Sequence, residues 1–183
     1  MGPGALVRGP ASPHPSEANS AAAGPATFTF EVLGEPITQG SMRAVISRTT
    51  GHAMVKQDNS RTMPWRQEVA RTARFVAART PGAWPTDAPV RLEVAFYLAR
   101  PQGHYGAKGM RGAARLHPST KPDIDKLVRS LEDALSGIVY HDDAQVVELQ
   151  ASKLYALRTD PPRAVVTVTV LERTVGERTE REA

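Results

Sequence analysis

Ile124-Asp125-Lys126-Leu127-Val128-Arg129-Ser130-Leu131-Glu132-Asp133-Ala134-Leu135-Ser136-Gly137 is the stretch on which the fold turns. Ile124, Leu127, Val128, Leu131, Ala134, Leu135 and Ile138 recur at spacings of three and four, so one apolar stripe of a helix faces a core. Gly137 suits the position just past the helix end. Pro122 disfavours helix before it, which puts Asp123 in the approach turn and Asp125 near the N-cap of a helix over 125–136. Asp125, Arg129 and Glu132 fall on a second stripe that points away from the core.

Outward from this helix, alternation dominates. Phe28, Phe30 and Val32 alternate with Thr29 and Glu31 over 27–33, and Leu92, Val94, Phe96 and Leu98 alternate with Arg91, Glu93, Ala95 and Tyr97 over 90–98, predicting two strands. Pro64 suits the first turn of another helix, with Trp65, Val69, Thr72, Ala73 and Val76 on one face and an end before Pro81. The polar stretch after Pro36 has room for a short hairpin around Thr50 and Gly51. Four glycines between Arg100 and Pro122 predict a mobile loop. Strands near 145–157 and 163–171 follow, with Asp160-Pro161-Pro162 as the turn between them. Strand, helix, strand, helix, strand, strand predicts an α/β (α+β) fold. It would be a single small domain, a mixed sheet of about four strands with two main helices on one face.

The 183 residues suffice for one domain with a core of its own. Residues 1–26, rich in Ala, Pro, Gly and Ser, read as a disordered leader, 27–171 as the folded domain and 172–183 as a charged tail. Net charge is +4 and the sequence pI about 9.7. No acid occurs from Pro36 to Gln57 or from Val94 to Pro122, whereas both blocks carry Arg and Lys. Such blocks are either plain solvated loops or the footprint of a polyanion. Cysteine is absent, which excludes disulfides and thiolate chemistry. No apolar run approaches the roughly 20 residues that span a bilayer, and the expected setting is cytoplasmic.

Against this basic background stand two acidic pairs, Asp123 with Asp125 and Asp142 with Asp143. Crowded carboxylates call for a counter-ion, and a hard divalent cation is the natural one. A helix of this length climbs about 18 Å, and six extended residues return about 20 Å at roughly 3.3 Å each. On that count Asp142 and Asp143 come back to the level of Asp123 and Asp125, with one of the second pair facing the site. The structural alternative is a helix cap at one end and an Asp-Asp turn at the other.

The run Lys121-Pro122-Asp123-Ile124-Asp125-Lys126-Leu127, followed by Asp133-Ala134-Leu135-Ser136-Gly137 and Asp142-Asp143-Ala144-Gln145-Val146, closely resembles the RusA family, endodeoxyribonucleases that resolve Holliday junctions. Gly34-Glu35-Pro36, Gly40-Ser41-Met42-Arg43 and Trp65-Arg66 resemble it too. The resemblance implies a homodimeric, Mg²⁺-dependent nuclease acting on four-way or other branched DNA, with Asp123, Asp125 and Asp143 binding metal. Asp142 matches the pattern behind Asp143, and Asp133 matches as a support of the helix end. Two positions depart from it: Lys126 stands where family members commonly have Asn, and Arg129 where they have a catalytically important Lys. A guanidinium can stabilise negative charge but cannot shuttle a proton.

The expected chemistry is phosphodiester hydrolysis by metal-activated water, with Arg129 facing the phosphoryl oxygens. Arg43, Arg48, Lys56, Lys108, Arg111, Arg115, Lys121 and Lys126 are the candidate DNA contacts. Three alternatives stand beside it: a metal nuclease for forks or flaps, a branched-DNA-binding protein impaired in catalysis by the change at Arg129, and an Asp-Ile-Asp glycosyltransferase.

Overall fold

A computed structural model describes residues 26–40, 42–46, 49, 51–57 and 60–173. Residues 1–25 of the expected leader, the end of the tail and Arg48 lie outside the described residues. Four strands build one mixed sheet: β1 (Thr27–Leu33), β4 (Val90–Leu98), β7 (Val146–Tyr155) and β8 (Arg163–Val170), in the order β1-β8-β4-β7. Two helices, α1 (Thr62–Ala77) and α2 (Ile124–Leu135), complete the α+β domain expected from the periodicity. Two small hairpins are inserted, β2 (Met42–Ile46) with β3 (Ala53–Gln57), and β5 (Tyr105–Gly106) with β6 (Gly109–Met110).

The core forms where the expected stripes meet. Phe28, Phe30 and Val32 of β1, Leu92, Val94 and Phe96 of β4, and Ala164, Val166 and Val168 of β8 are buried with Trp65, Val69 and Ala73 of α1 and Leu127, Leu131 and Leu135 of α2. On the opposite sheet face polar side chains pair across strands: the Thr29 and Thr167 hydroxyls lie 2.8 Å apart, and Arg91 donates to Glu148 at 2.5 Å. Opposite-charge and Thr–Thr pairs of this kind are the usual stabilisers of a solvated sheet face.

β7 and β8, joined through Asp160-Pro161-Pro162, do not pair with each other: β4 lies between them, parallel to β7 and antiparallel to β8. β4 alternates buried and half-buried residues along its whole length, and a central position with a partner on each side suits it. The glycine-rich loop is tied down rather than loose: Arg111 N–H donates to the His104 carbonyl at 2.9 Å, and Arg100 donates to the Arg115 carbonyl at 2.8 Å.

β4, α2 and β7 therefore form a strand–helix–strand unit with parallel strands. In such a unit the helix runs against both strands, so its N-terminus emerges at their carboxyl edge, the usual place for ligands in parallel sheets. Leu131, fully buried on α2, is a direct probe of this packing. Leu131→Ala is expected to cost about 2–5 kcal/mol in urea denaturation, and Gln67→Ala on the exposed side of α1 less than about 0.5 kcal/mol.

Candidate active site

Asp123 is the N-cap of α2, with extended backbone (φ −73°, ψ 135°), and Asp125 lies in the first turn. The helix thus begins one residue earlier than its periodicity indicates. Asp123 makes no side-chain cap hydrogen bond, and Lys126 Nζ lies 3.3 Å from its carboxylate instead. Lys126, a candidate DNA contact, is therefore already paired with a candidate metal ligand. Asp125 and Arg129 are exposed on the same stripe, one turn apart.

Lys153 anchors this end of α2. Its ammonium donates to the Pro122 carbonyl at 2.7 Å and the Thr120 carbonyl at 3.0 Å, from a position paired with Phe96 late in β4. This residue was not singled out from sequence, where it is one lysine in an alternating strand. Only the parallel pairing of β4 with β7 reveals what it faces.

Asp143 is elsewhere. It starts a short 3₁₀ turn, Asp143–Gln145, just before β7, at the amino edge of the parallel pair. The expected extended return from Gly137 does not occur. Gly137 N–H donates to the Tyr140 carbonyl at 2.7 Å and Val139 N–H to the Leu135 carbonyl at 2.9 Å, a tight turn that buries Ile138, Val139 and Tyr140. β7 itself makes the return, and it brings Lys153 rather than Asp143 to the level of Asp123.

Asp142 is a turn residue: its carboxylate accepts the Ala144 N–H at 2.8 Å, while the Gln145 side chain accepts the Asp142 N–H at 3.1 Å. Gln145 also donates to the Thr86 and Ala88 carbonyls, fastening this turn to the entrance of β4. Asp133 forms an ion pair with Arg66, joining α2 to α1, in keeping with support of the helix end. His141 lies 3.2 Å from Asp87.

Glu132 is the further titratable group of this end. Burial pushes its carboxyl above the usual glutamate range, Asp143 and Asp133 push the same way, and Arg129 opposes them. The Tyr140 hydroxyl donates to the Glu132 carbonyl at 3.2 Å, and its own pKa is raised chiefly by burial and then by Glu132, Asp143 and Asp133. The acids are thus divided: Asp123 and Asp125 at one end of α2, Glu132, Asp133 and Asp143 at the other. Asp125 and Glu132 are seven residues apart, about 10 Å along the axis.

Among the described residues no three His, Asp or Glu side chains converge on one ion position. Mg²⁺ is usually held by one or two carboxylates, with water and phosphate supplying the rest. The donor chemistry of Asp123 and Asp125 fits such an ion; Asp143 of the same chain is not part of that pair.

The remaining candidates are dispersed. Arg111, Arg115 and Lys121 are exposed on the loop leading to Asp123, with Lys108 in the turn of the β5–β6 hairpin. Arg43 and Lys56 occupy directly opposite positions in the β2–β3 hairpin.

Comparison with known proteins gives this geometry a family. The model of the RusA endodeoxyribonucleases matches residues 34–169. The chain belongs to the RusA family. It is also 33% identical over 142 residues to the uncharacterised protein YqaN of Bacillus subtilis (strain 168), spanning 76% of this chain and 93% of that protein. No helix among the described residues is long and apolar enough to cross a membrane.

The raised Glu132 carboxyl has a definite stability signature. Because the folded state binds the Glu132 proton more tightly than the unfolded chain, stability falls as pH rises through the window above the ordinary glutamate pKa. Glu132→Gln is expected to raise Tm at neutral pH, the gain vanishing as pH falls below about 4, where both states become protonated. A Tm at neutral pH lower than wild type would contradict the assignment.

Proposed function

We propose that the protein is a divalent-metal-dependent endodeoxyribonuclease that cuts Holliday junctions and related branched DNA, acting in recombination and repair as a cytoplasmic homodimer. The observation that supports this most is the placement of Asp123 and Asp125 at the N-terminus of α2, on the carboxyl edge of the β4–β7 pair, in a chain of the RusA family. Asp123 and Asp125 would hold Mg²⁺ through hard oxygen donors. An ion held there would supply Lewis acidity, acidifying bound water and offsetting phosphoryl charge.

The chain's own groups do the rest. The helix N-terminus favours an anion in front of it. Arg129, exposed one turn on, adds a fixed positive charge for the non-bridging oxygens. Lys126, paired with Asp123, would be free to reach a phosphate where a metal ion held that carboxylate. Lys153 keeps the approach to Asp123 in place by gripping two carbonyls. Arg43, Arg48, Lys56, Lys108, Arg111, Arg115 and Lys121 supply phosphate contacts that set register without reading bases.

Two incisions across a pseudo-two-fold junction need two centres, which a C2 dimer supplies. The division of acids along α2 gives the dimer a second purpose. Asp143, at the amino edge of its own chain, completes the Asp123–Asp125 set of a second copy.

A four-way junction, a fork and a linear duplex, incubated with Mg²⁺ or EDTA, test the activity. Paired cuts in the junction, lost in EDTA, are expected; tight binding with no incision in any divalent metal would leave a DNA-binding protein instead. Asp125→Asn is expected to lower cleavage at least roughly 100-fold while preserving junction binding, since loss of an essential charged group removes several kcal/mol of transition-state stabilisation. Near wild-type cleavage would remove Asp125 from the site. Arg129→Lys is expected to keep or raise the rate, because only positive charge is asked of this position.

A further inference from the structure

A cluster of aromatic and basic side chains occupies the carboxyl edge of the sheet, beyond the acids. Tyr155 ends β7 two residues after Lys153, about 7 Å further along the strand. Arg100 stacks over its ring at 4.2 Å, and His104 meets it edge-on at 5.5 Å. Arg100 also donates to the Arg115 carbonyl. This half-buried group is fastened to the loop and explains why the loop is ordered.

A second arginine–tyrosine pair beside it is built differently. Arg158 lies over the Tyr105 ring at 5.1 Å, is exposed, and among the described residues has no hydrogen bond or ion pair. Tyr105 is fixed from behind, where its carbonyl accepts from Arg111 Nε at 3.0 Å and its strand position pairs with Met110. A cleft of about 150 Å³ opens here, lined by Arg100, Gln102, Tyr105, Leu157, Arg158 and Asp160. Asp160, the one acid facing it, lies 3.5 Å from Arg163. Leu157 of the lining is 71% exposed, and the loop that carries Tyr105 exposes Leu116 and Met110 at 76% and 62%, together with Lys108, Arg111 and Arg115.

Such a surface does little for the fold. A solvated arginine over a tyrosine adds little to stability, and three large apolar side chains are left in water. The combination suits a nucleic-acid strand whose bases are out of the helix: an aromatic face for stacking, a mobile guanidinium to cover the base, flanking cations for phosphates and apolar tips against an unstacked step. A phosphate alone would need the arginines but neither the ring nor the leucines.

We propose that the Tyr105–Arg158 cleft binds one unstacked nucleobase at the branch point of the DNA. The inference rests on the branched-DNA reading and extends it. Tyr105 supplies the stacking face, and Arg158 swings over the other side of the base. Lys153 links this edge to the approach to Asp123, so a base held in the cleft places its strand's backbone near the acidic pair.

The test uses the full-length protein in EDTA, with 2-aminopurine at the branch point of a four-way junction or at the same position in a linear duplex. Wild type and Tyr105→Phe are expected to change the fluorescence of the junction but not of the duplex. Tyr105→Ala is expected to lose that change and to bind the junction roughly tenfold more weakly, with duplex affinity unaltered. Arg158→Ala, at an exposed position, provides a second probe of the same cleft should Tyr105→Ala fail to fold. If both alanine variants keep the signal and the affinity while wild type binds and cuts the junction, the cleft is overturned and the nuclease reading stands. If wild type itself neither binds nor cuts branched DNA, both fall together.

Discussion

Burial of one stripe of α2 against the sheet governs the rest of the molecule. Leu127, Leu131 and Leu135 are completely buried, and they leave the helix a single orientation over β4 and its neighbours. Since α2 links two parallel strands, it must also run against them. Its N-terminus is thereby fixed at the carboxyl edge, and every polar side chain on the outer stripe inherits its height from that constraint. Asp125, Arg129 and Glu132 become three rungs of one ladder rather than members of one cluster.

The electrostatics at the two ends of that ladder differ. At the N-terminus, Asp123 and Asp125 complement the helix dipole, and Lys126 balances one of them. At the C-terminus, Glu132 and Asp133 oppose the dipole, and no basic residue occupies the last turn. Asp133 is compensated by Arg66, whereas Glu132 is left against burial and two neighbouring acids. A fold that tolerates an unfavourable acid at a helix end has departed from local optimisation, and such departures concentrate where function requires them. The acidic group at the far end of α2 does not touch the first pair within one chain.

Much of this was legible in advance because the relevant signals are local. Alternation places β1 and β4, and the three-and-four spacing around Leu131 finds α2 and its buried face. The motif around Asp123 and Asp125 carries the family. Pairing order was not legible: the Asp-Pro-Pro turn looks the same whether it closes a hairpin or carries the chain past an intervening strand, as it does between β7 and β8. The parallel partnership of β4 and β7 was hidden for the same reason, and with it the positions of Lys153 and Asp143. The six residues from Gly137 invite an extended reading, yet buried Ile138, Val139 and Tyr140 draw them into a turn. Arg100 and Tyr105 lie far in sequence from Tyr155 and Arg158, so only the folded sheet edge gathers the four.

One chain separates the acids along α2, and the proposed working centre takes Asp123 and Asp125 from one copy and Asp143 from the other. Subunit mixing tests it most directly. Asp125→Asn and Asp143→Asn proteins, each inactive on a four-way junction, are combined under conditions that exchange subunits, and incision is measured in Mg²⁺. Cleavage is expected to reappear, as single-strand nicks, because a mixed dimer then contains one centre with all its aspartates. No recovery from dimers shown to have exchanged would place all three in the same chain's centre and contradict it.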